Sequence, residues 1–85
     1  YASQHSYILE LKVLSRKEFD EELKDVLKED GSPMKKSEKQ WQDAVEQIRR
    51  YADAPRVEAL RQGTTLHKII MQFKGWELAR IEEIE

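Results

Sequence analysis

An α/β domain built on a small mixed sheet is the fold this sequence predicts, and three observations carry it. The first is an apolar extended run, residues 7–14, with strand-like alternation. The second is an amphipathic stretch, residues 37–52, with apolar side chains at helical spacing. The third is a closing pair of strand-like runs, residues 66–73 and 76–81, on either side of Lys74-Gly75. A strand that leads through helices into another strand normally makes a right-handed crossover to a parallel neighbour. The main order β-α-α-β-β, with a short extra helix before the second strand, therefore predicts a three-stranded mixed sheet packed against helices. In it the first strand runs parallel to the second and the third is antiparallel.

The opening strand places Ile8, Glu10 and Lys12 on one side and Tyr7, Leu9, Leu11 and Val13 on the other. An acid and an amine thus emerge together from a strand whose apolar flanks mark it as internal. Burying either ion unpaired is costly, so the two must pair, face a cleft or hold a metal. Ser15-Arg16-Lys17-Glu18 then reads as a capping box. It predicts a helix with Phe19, Leu23, Val26 and Leu27 on one stripe, ended by Gly31 and Pro33.

Residues 32–36 read as a polar connector, and Ser37-Glu38-Lys39-Gln40 as a second capping box. The helix it opens sets Trp41, Ala44, Val45, Ile48, Tyr51 and Ala52 on one face. Asp53-Ala54-Pro55 breaks it, and residues 56–62 suit a short helix stopped by Gly63. Gly75 supplies the positive φ of a tight hairpin, and residues 82–85 read as an acidic, frayed end.

With 85 residues the chain is long enough for one small domain with a modest core. A net charge of -2 at 38% charged residues excludes binding driven by bulk attraction to phosphates but leaves room for a local basic groove. The absence of cysteine excludes disulfides and thiolate metal sites. No membrane-length apolar run and no signal-peptide pattern are present, so a soluble, cytoplasmic setting is expected, with no membrane partner. The chain opens on Tyr1-Ala2-Ser3-Gln4 and enters a strand almost at once, which reads as a piece of a longer protein.

Two constellations carry chemistry. In Glu10-Leu11-Lys12 a strand carboxylate can hold a hard divalent cation. A lysine two residues on can orient water or stabilise charge on a phosphate. Taken alone, the triplet is also the ion pair of an ordinary amphipathic strand. Gln47 and Tyr51, four apart, share a flank of the long helix, where an amide beside a sheet can reach a ligand or water. They are also a surface glutamine and a tyrosine that closes the core.

The remaining candidates read as structural. His5 and His67 have no partner at ligand spacing and suit surface or strand-end positions. Lys35, Lys36 and Lys39 form a solvated cluster at a helix start. Trp41 and Trp76 suit the core, and Arg49, Arg50 and Arg56 form a basic rim, with Arg49 and Arg50 as nucleic-acid contacts.

Together these pieces resemble the PD-(D/E)XK nuclease superfamily, whose acid-X-Lys strand motif matches Glu10-Leu11-Lys12. Gln47 with Tyr51 resembles the Gln-x-x-x-Tyr motif of its RecB-like part. The chain is similar to the nuclease-like domain found C-terminal to an AAA-ATPase-like domain in many bacterial proteins. That similarity is carried by residues 7–12, 46–52, 66–69 and 73–77. The resemblance implies a partial restriction-endonuclease-like fold, with residues 1–85 a single C-terminal domain fragment lacking its N-terminal strands. It implies metal-dependent phosphodiester hydrolysis of nucleic acid, DNA ahead of RNA. Glu10 would be a Mg2+ ligand, and Lys12 would act on the attacking water or the transition state. Gln47 and Tyr51 would support them, and an N-terminal ATPase-like domain would be a partner.

The superfamily pattern needs another acid on the preceding strand, and residues 1–9 contain none. The fragment is therefore expected to be inactive by itself. The rival reading is a non-catalytic interaction or assembly module with the same fold, in which Glu10 and Lys12 are a plain ion pair. Missing neighbour strands would leave one edge of residues 7–14 open, so self-association through that edge is expected.

Overall fold

The computed structural model describes residues 4–61 and 63–85. The first strand, β1 (His5–Leu14), and a single helical turn, α1 (Arg16–Phe19), open the fold. They are followed by β2 (Glu22–Leu27), β3 (Pro33–Lys35), the long helix α2 (Lys36–Ala52) and the short helix α3 (Pro55–Arg61). β4 (Thr65–Lys74) and β5 (Glu77–Ile84) close the chain. Strands β1, β4 and β5 form one sheet in that spatial order, with β1 parallel to β4 and β5 antiparallel to it. This is the expected mixed sheet, reached from β1 by a crossover that includes α2 and α3.

Residues 16–27 depart from the expected helix. The Ser15 cap does form, since Ser15 Oγ accepts from the Glu18 amide at 3.2 Å, but it supports only one turn. The chain then extends and pairs as a β2–β3 hairpin through a turn in which Gly31 has φ +86°. The Lys28 carbonyl accepts from the Gly31 amide at 3.0 Å, and the Asp30 carboxylate caps the Ser32 amide at 3.0 Å. Leu23 and Val26, three apart, are both half-buried in β2 because the register with β3 slips between Leu23 and Leu27. A spacing that suits a helix is thus met by an irregular strand.

Helix α2 starts one residue ahead of the expected capping box. Its N-cap is Lys35, with no side-chain cap, and the Lys36 amide is satisfied by the Glu21 carbonyl at 2.8 Å. Ser37 is instead buried, and its carbonyl accepts from the Gln72 amide at 2.8 Å. The apolar stripe of α2 packs as expected for Trp41, Ala44, Ile48 and Ala52. Tyr51, expected on that stripe, lies off it and is largely exposed. The short helix α3 begins at Pro55, whose fixed φ and missing N–H suit a first helical turn.

The core lies between α2 and one face of the sheet: Trp41, Ala44 and Ile48 meet Ile70, with Ile8, Val45 and Ile84 around them. Burying side chains the size of Ile48 and Ile70 stabilises a fold by about 1.5–3 kcal/mol each. The Arg80 guanidinium lies 3.9 Å over the Trp41 ring and closes one side of this core. Gln72, the buried polar residue of β4, donates to the Ser37 carbonyl and to Gln40 Oε1 at 3.0 Å, so its burial leaves nothing unsatisfied.

At the hairpin between β4 and β5, Gly75 has φ +60°. A Cβ there would also meet Arg16 Cγ at 3.3 Å, so glycine suits the turn twice over. Trp76, expected in the core, sits in this turn 97% exposed. β5 runs on to Ile84, which pairs with Lys68, so Glu82 and Glu83 are ladder residues rather than a frayed end.

The opposite face of β1 is bare: Tyr7, Leu9, Leu11 and Val13 are all exposed there. β1 also lies at the sheet's edge, paired with β4 alone among the described residues: its apolar flanks pointed to an internal strand, and the edge is open as expected for a sheet lacking neighbours on that side. Among the described residues no helix is long and apolar enough to cross a membrane.

Candidate active site

Strand alternation turns Ile8 into the core beneath α2, and Glu10 and Lys12, two and four residues on, project from the same face. The parallel register sets Glu10 beside Ile70 and Lys12 beside Gln72, both under α2. Helix α2 in turn carries Gln47 one position before the buried Ile48, at the flank of its stripe. These elements converge. Lys12 Nζ lies 3.3 Å from Glu10 Oε1 and donates to Gln47 Oε1 at 3.2 Å. The Lys12 and Glu10 side chains are only 28% and 21% exposed, so the pair is shielded well beyond an ordinary surface ion pair.

An ammonium has three N–H donors: one of Lys12's goes to Gln47 Oε1, and the Glu10 carboxylate answers its charge. It keeps donor capacity, among the described residues, for a water or a phosphate oxygen. Among the described residues Glu10 has its recorded contact through one oxygen only, leaving the other for a further ligand.

The residues present do not by themselves make a Mg2+ site. A carboxylate oxygen is the right donor for a hard cation, but among the described residues no group of three or more His, Cys, Asp or Glu is placed so that all could ligate one metal ion. Glu10 supplies one carboxylate of a site that needs more.

Two grooves flank this couple. The larger, of about 580 Å³, is lined by Asp43, Glu46, Gln47, Arg50, Tyr51 and Arg56, with Ala54 and Val57. It does not reach Glu10 or Lys12. Gln47 links the two, lining the groove and holding Lys12. Tyr51 thus shares a surface with Gln47, as does Arg50, whereas Arg49 is exposed on α2 and does not line the groove. The smaller groove, of about 400 Å³, brings Lys12 together with Lys36 and Lys39 beside Gln40 and Asp43.

Both of these lysines are tied to carboxylates. The Glu18 carboxylate, 3.0 Å from Lys36 Nζ, pushes the Lys36 ammonium above its usual range, and Asp43 at 2.7 Å does the same for Lys39. In return, bonds from Lys36 and Ser15 hold Glu18 below the ordinary carboxylate range. The groove is cationic, though Lys36 and Lys39 have their charges partly answered. Lys35 caps the helix instead of lining it.

Sequence reading missed one pairing. His5 and His67, expected as isolated strand-end histidines, are brought together by the β1–β4 register, with His5 Nδ1 2.8 Å from His67 Nε2. They are 62 positions apart, so no local spacing could show it. The one available signal was the prediction that the strands of residues 7–14 and 66–73 run parallel, which brings their N-terminal ends together.

Comparison with known proteins gives a family for the chain. A family model described as the PD-(D/E)XK nuclease superfamily matches residues 1–83. No curated protein and no solved structure matches the chain. The family match spans nearly the whole chain and covers the strand that holds Glu10-Leu11-Lys12 beside Gln47: this chain belongs to the PD-(D/E)XK nuclease superfamily.

Proposed function

We propose that this domain serves metal-dependent phosphodiester hydrolysis of nucleic acid, DNA ahead of RNA. The observation that carries the reading is the convergence of Glu10 and Gln47 on the Lys12 ammonium. Glu10 offers a carboxylate oxygen to a divalent cation, Mg2+ in this reading. Lys12, steadied by Gln47 and paired with Glu10, donates an N–H to the attacking water or to charge developing on the phosphate. Gln47 is a positioning residue for Lys12. Tyr51 and Arg50 line the groove on its far side, where a nucleic-acid backbone can lie, and Arg49 extends that surface.

Residues of this superfamily act with divalent metals, and one carboxylate is too few to hold Mg2+ well. A second acid would, in this reading, have to come from outside residues 1–85. In this reading the domain is the C-terminal part of a RecB-like nuclease whose N-terminal partner is an ATPase-like domain, acting in the cytoplasm, and the isolated piece is inactive. The open edge of β1 and the exposed Leu9, Leu11 and Val13 beside it favour self-association of the isolated piece.

The test is cleavage of double-stranded DNA and of RNA by the complete protein in Mg2+, with Glu10→Ala and Lys12→Ala as controls. Mg2+-dependent cleavage that falls about 100-fold or more in both variants supports the reading. Cleavage unchanged in both, or none at all by the complete protein, favours the rival, a non-catalytic assembly module with Glu10–Lys12 as an ion pair.

A further inference from the structure

On the face of the sheet turned away from α2, three side chains from three strands form a chain of hydrogen bonds. Glu83 Oε2 on β5 lies 3.1 Å from His67 Nδ1 on β4, and His67 Nε2 lies 2.8 Å from His5 Nδ1 on β1. The Tyr7 ring stacks on His67, with centroids 4.8 Å apart and planes 19° from parallel, and limits its rotation. None of these groups takes part in the reading of Glu10 and Lys12, which project from the opposite face of β1.

Glu83 decides the tautomer of His67. A carboxylate accepts, so Nδ1 carries the proton and Nε2 carries a lone pair aimed at His5. A carboxylate behind an imidazole whose other nitrogen has its lone pair free to coordinate is the outer shell typical of histidine metal ligands. With His67 in that tautomer, the 2.8 Å contact is a hydrogen bond when His5 carries its proton on Nδ1. If the proton moves to Nε2 of His5, two imidazole lone pairs face one another across the gap. Two nitrogens on one tetrahedral Zn2+ at about 2.0–2.1 Å stand roughly 3.4 Å apart. The gap need widen by only about 0.6 Å, at an exposed strand end.

We propose that His5 Nδ1 and His67 Nε2 form a binding site for a borderline divalent transition metal such as Zn2+ or Cu2+. Glu83 is the positioning residue behind His67, and water fills the remaining positions. Imidazole suits these ions, and a hard cation such as Mg2+ does not compete for it. The bound ion ties the first residues of β1 to β4, and so stabilises the strand that carries Glu10 and Lys12.

The experiment is titration of the chain with Zn2+, and separately with Cu2+, against a coloured chelator, with the Cu2+ complex examined by electron paramagnetic resonance. One ion per chain, two imidazole nitrogens in the Cu2+ spectrum, and at least tenfold weaker binding by His5→Gln and by His67→Ala are expected. Glu83→Gln weakens binding by about tenfold or more. His5 is exposed, so His5→Gln keeps the fold even where His67→Ala does not. Undiminished binding by His5→Gln, or a spectrum with fewer than two imidazole nitrogens, overturns the proposal. Either result leaves the cleavage test of Glu10 and Lys12 untouched.

Discussion

The two faces of β1 are built from adjacent residues of one strand, yet they differ in almost every physical respect. On the side of α2, Ile8 enters the core and the Glu10–Lys12 couple is shielded and held by Gln47. On the other side Tyr7, Leu9, Leu11 and Val13 stand in solvent, and the polar group present is the His5–His67–Glu83 chain. The difference shows what α2 contributes. A helix packed over a strand lowers the local dielectric around its polar residues and brings a partner amide within reach, whereas an uncovered face does neither.

The largest contrast is expected in stability. Ile70→Ala removes a fully buried side chain from the α2 face and costs about 2–5 kcal/mol in urea unfolding. Leu11→Ala, 57% exposed on the bare face, costs less than about 1 kcal/mol. Equal losses would mean that the bare face is covered in solution, and would break the comparison. Next comes Gln72→Ala, which leaves the Ser37 carbonyl and Gln40 without their donor and costs about 1–3 kcal/mol by the same measurement.

A change on the bare face alone sharpens the contrast without unfolding anything. Leu9→Lys with Leu11→Lys should leave the melting temperature nearly unchanged and lower the mass seen by light scattering at high concentration. A wild-type chain that is already monomeric there would contradict the self-association reading.

The smallest effect is in acid. Lys74, 2.6 Å away, holds Asp20 below the ordinary carboxylate range, and Lys36 with Ser15 does so for Glu18. A carboxyl depressed on folding contributes stability that is full above its unfolded pKa and is lost as pH falls through its folded value. Asp20→Asn and Glu18→Gln should therefore each flatten slightly the loss of stability below about pH 4, as read by thermal melts across pH. Both groups are exposed, so the change is small.

The mixed sheet and the α2 stripe were legible because each is a repeated pattern: alternation in residues 7–14, and apolar residues three and four apart in residues 41–52. Lys12's approach to Gln47 followed from two such patterns packed together. Residues 16–27 were not legible, because Leu23 and Val26 at helical spacing hid an irregular strand. Gly31, read with Pro33 as a helix stop, instead serves the turn of the β2–β3 hairpin. Tyr51 and Trp76 were misplaced for a different reason: their size suggests burial, but the edge of a helix stripe and a hairpin tip offer no core to enter. The His5–His67 contact lay beyond any local pattern, since only the strand register creates it.

The central claim is that hydrolytic chemistry belongs to the α2 face of β1 and not to the other. Two carboxylates of this sheet, Glu10 and Glu83, stand on opposite faces, one paired with the Lys12 ammonium and the other with the His67 imidazole. The most direct measurement compares Glu10→Gln with Glu83→Gln in Mg2+-dependent DNA cleavage by the complete protein. The account predicts a loss of about 100-fold or more for Glu10→Gln and less than about twofold for Glu83→Gln. Equal activity of the two variants, or a larger loss for Glu83→Gln, would contradict it.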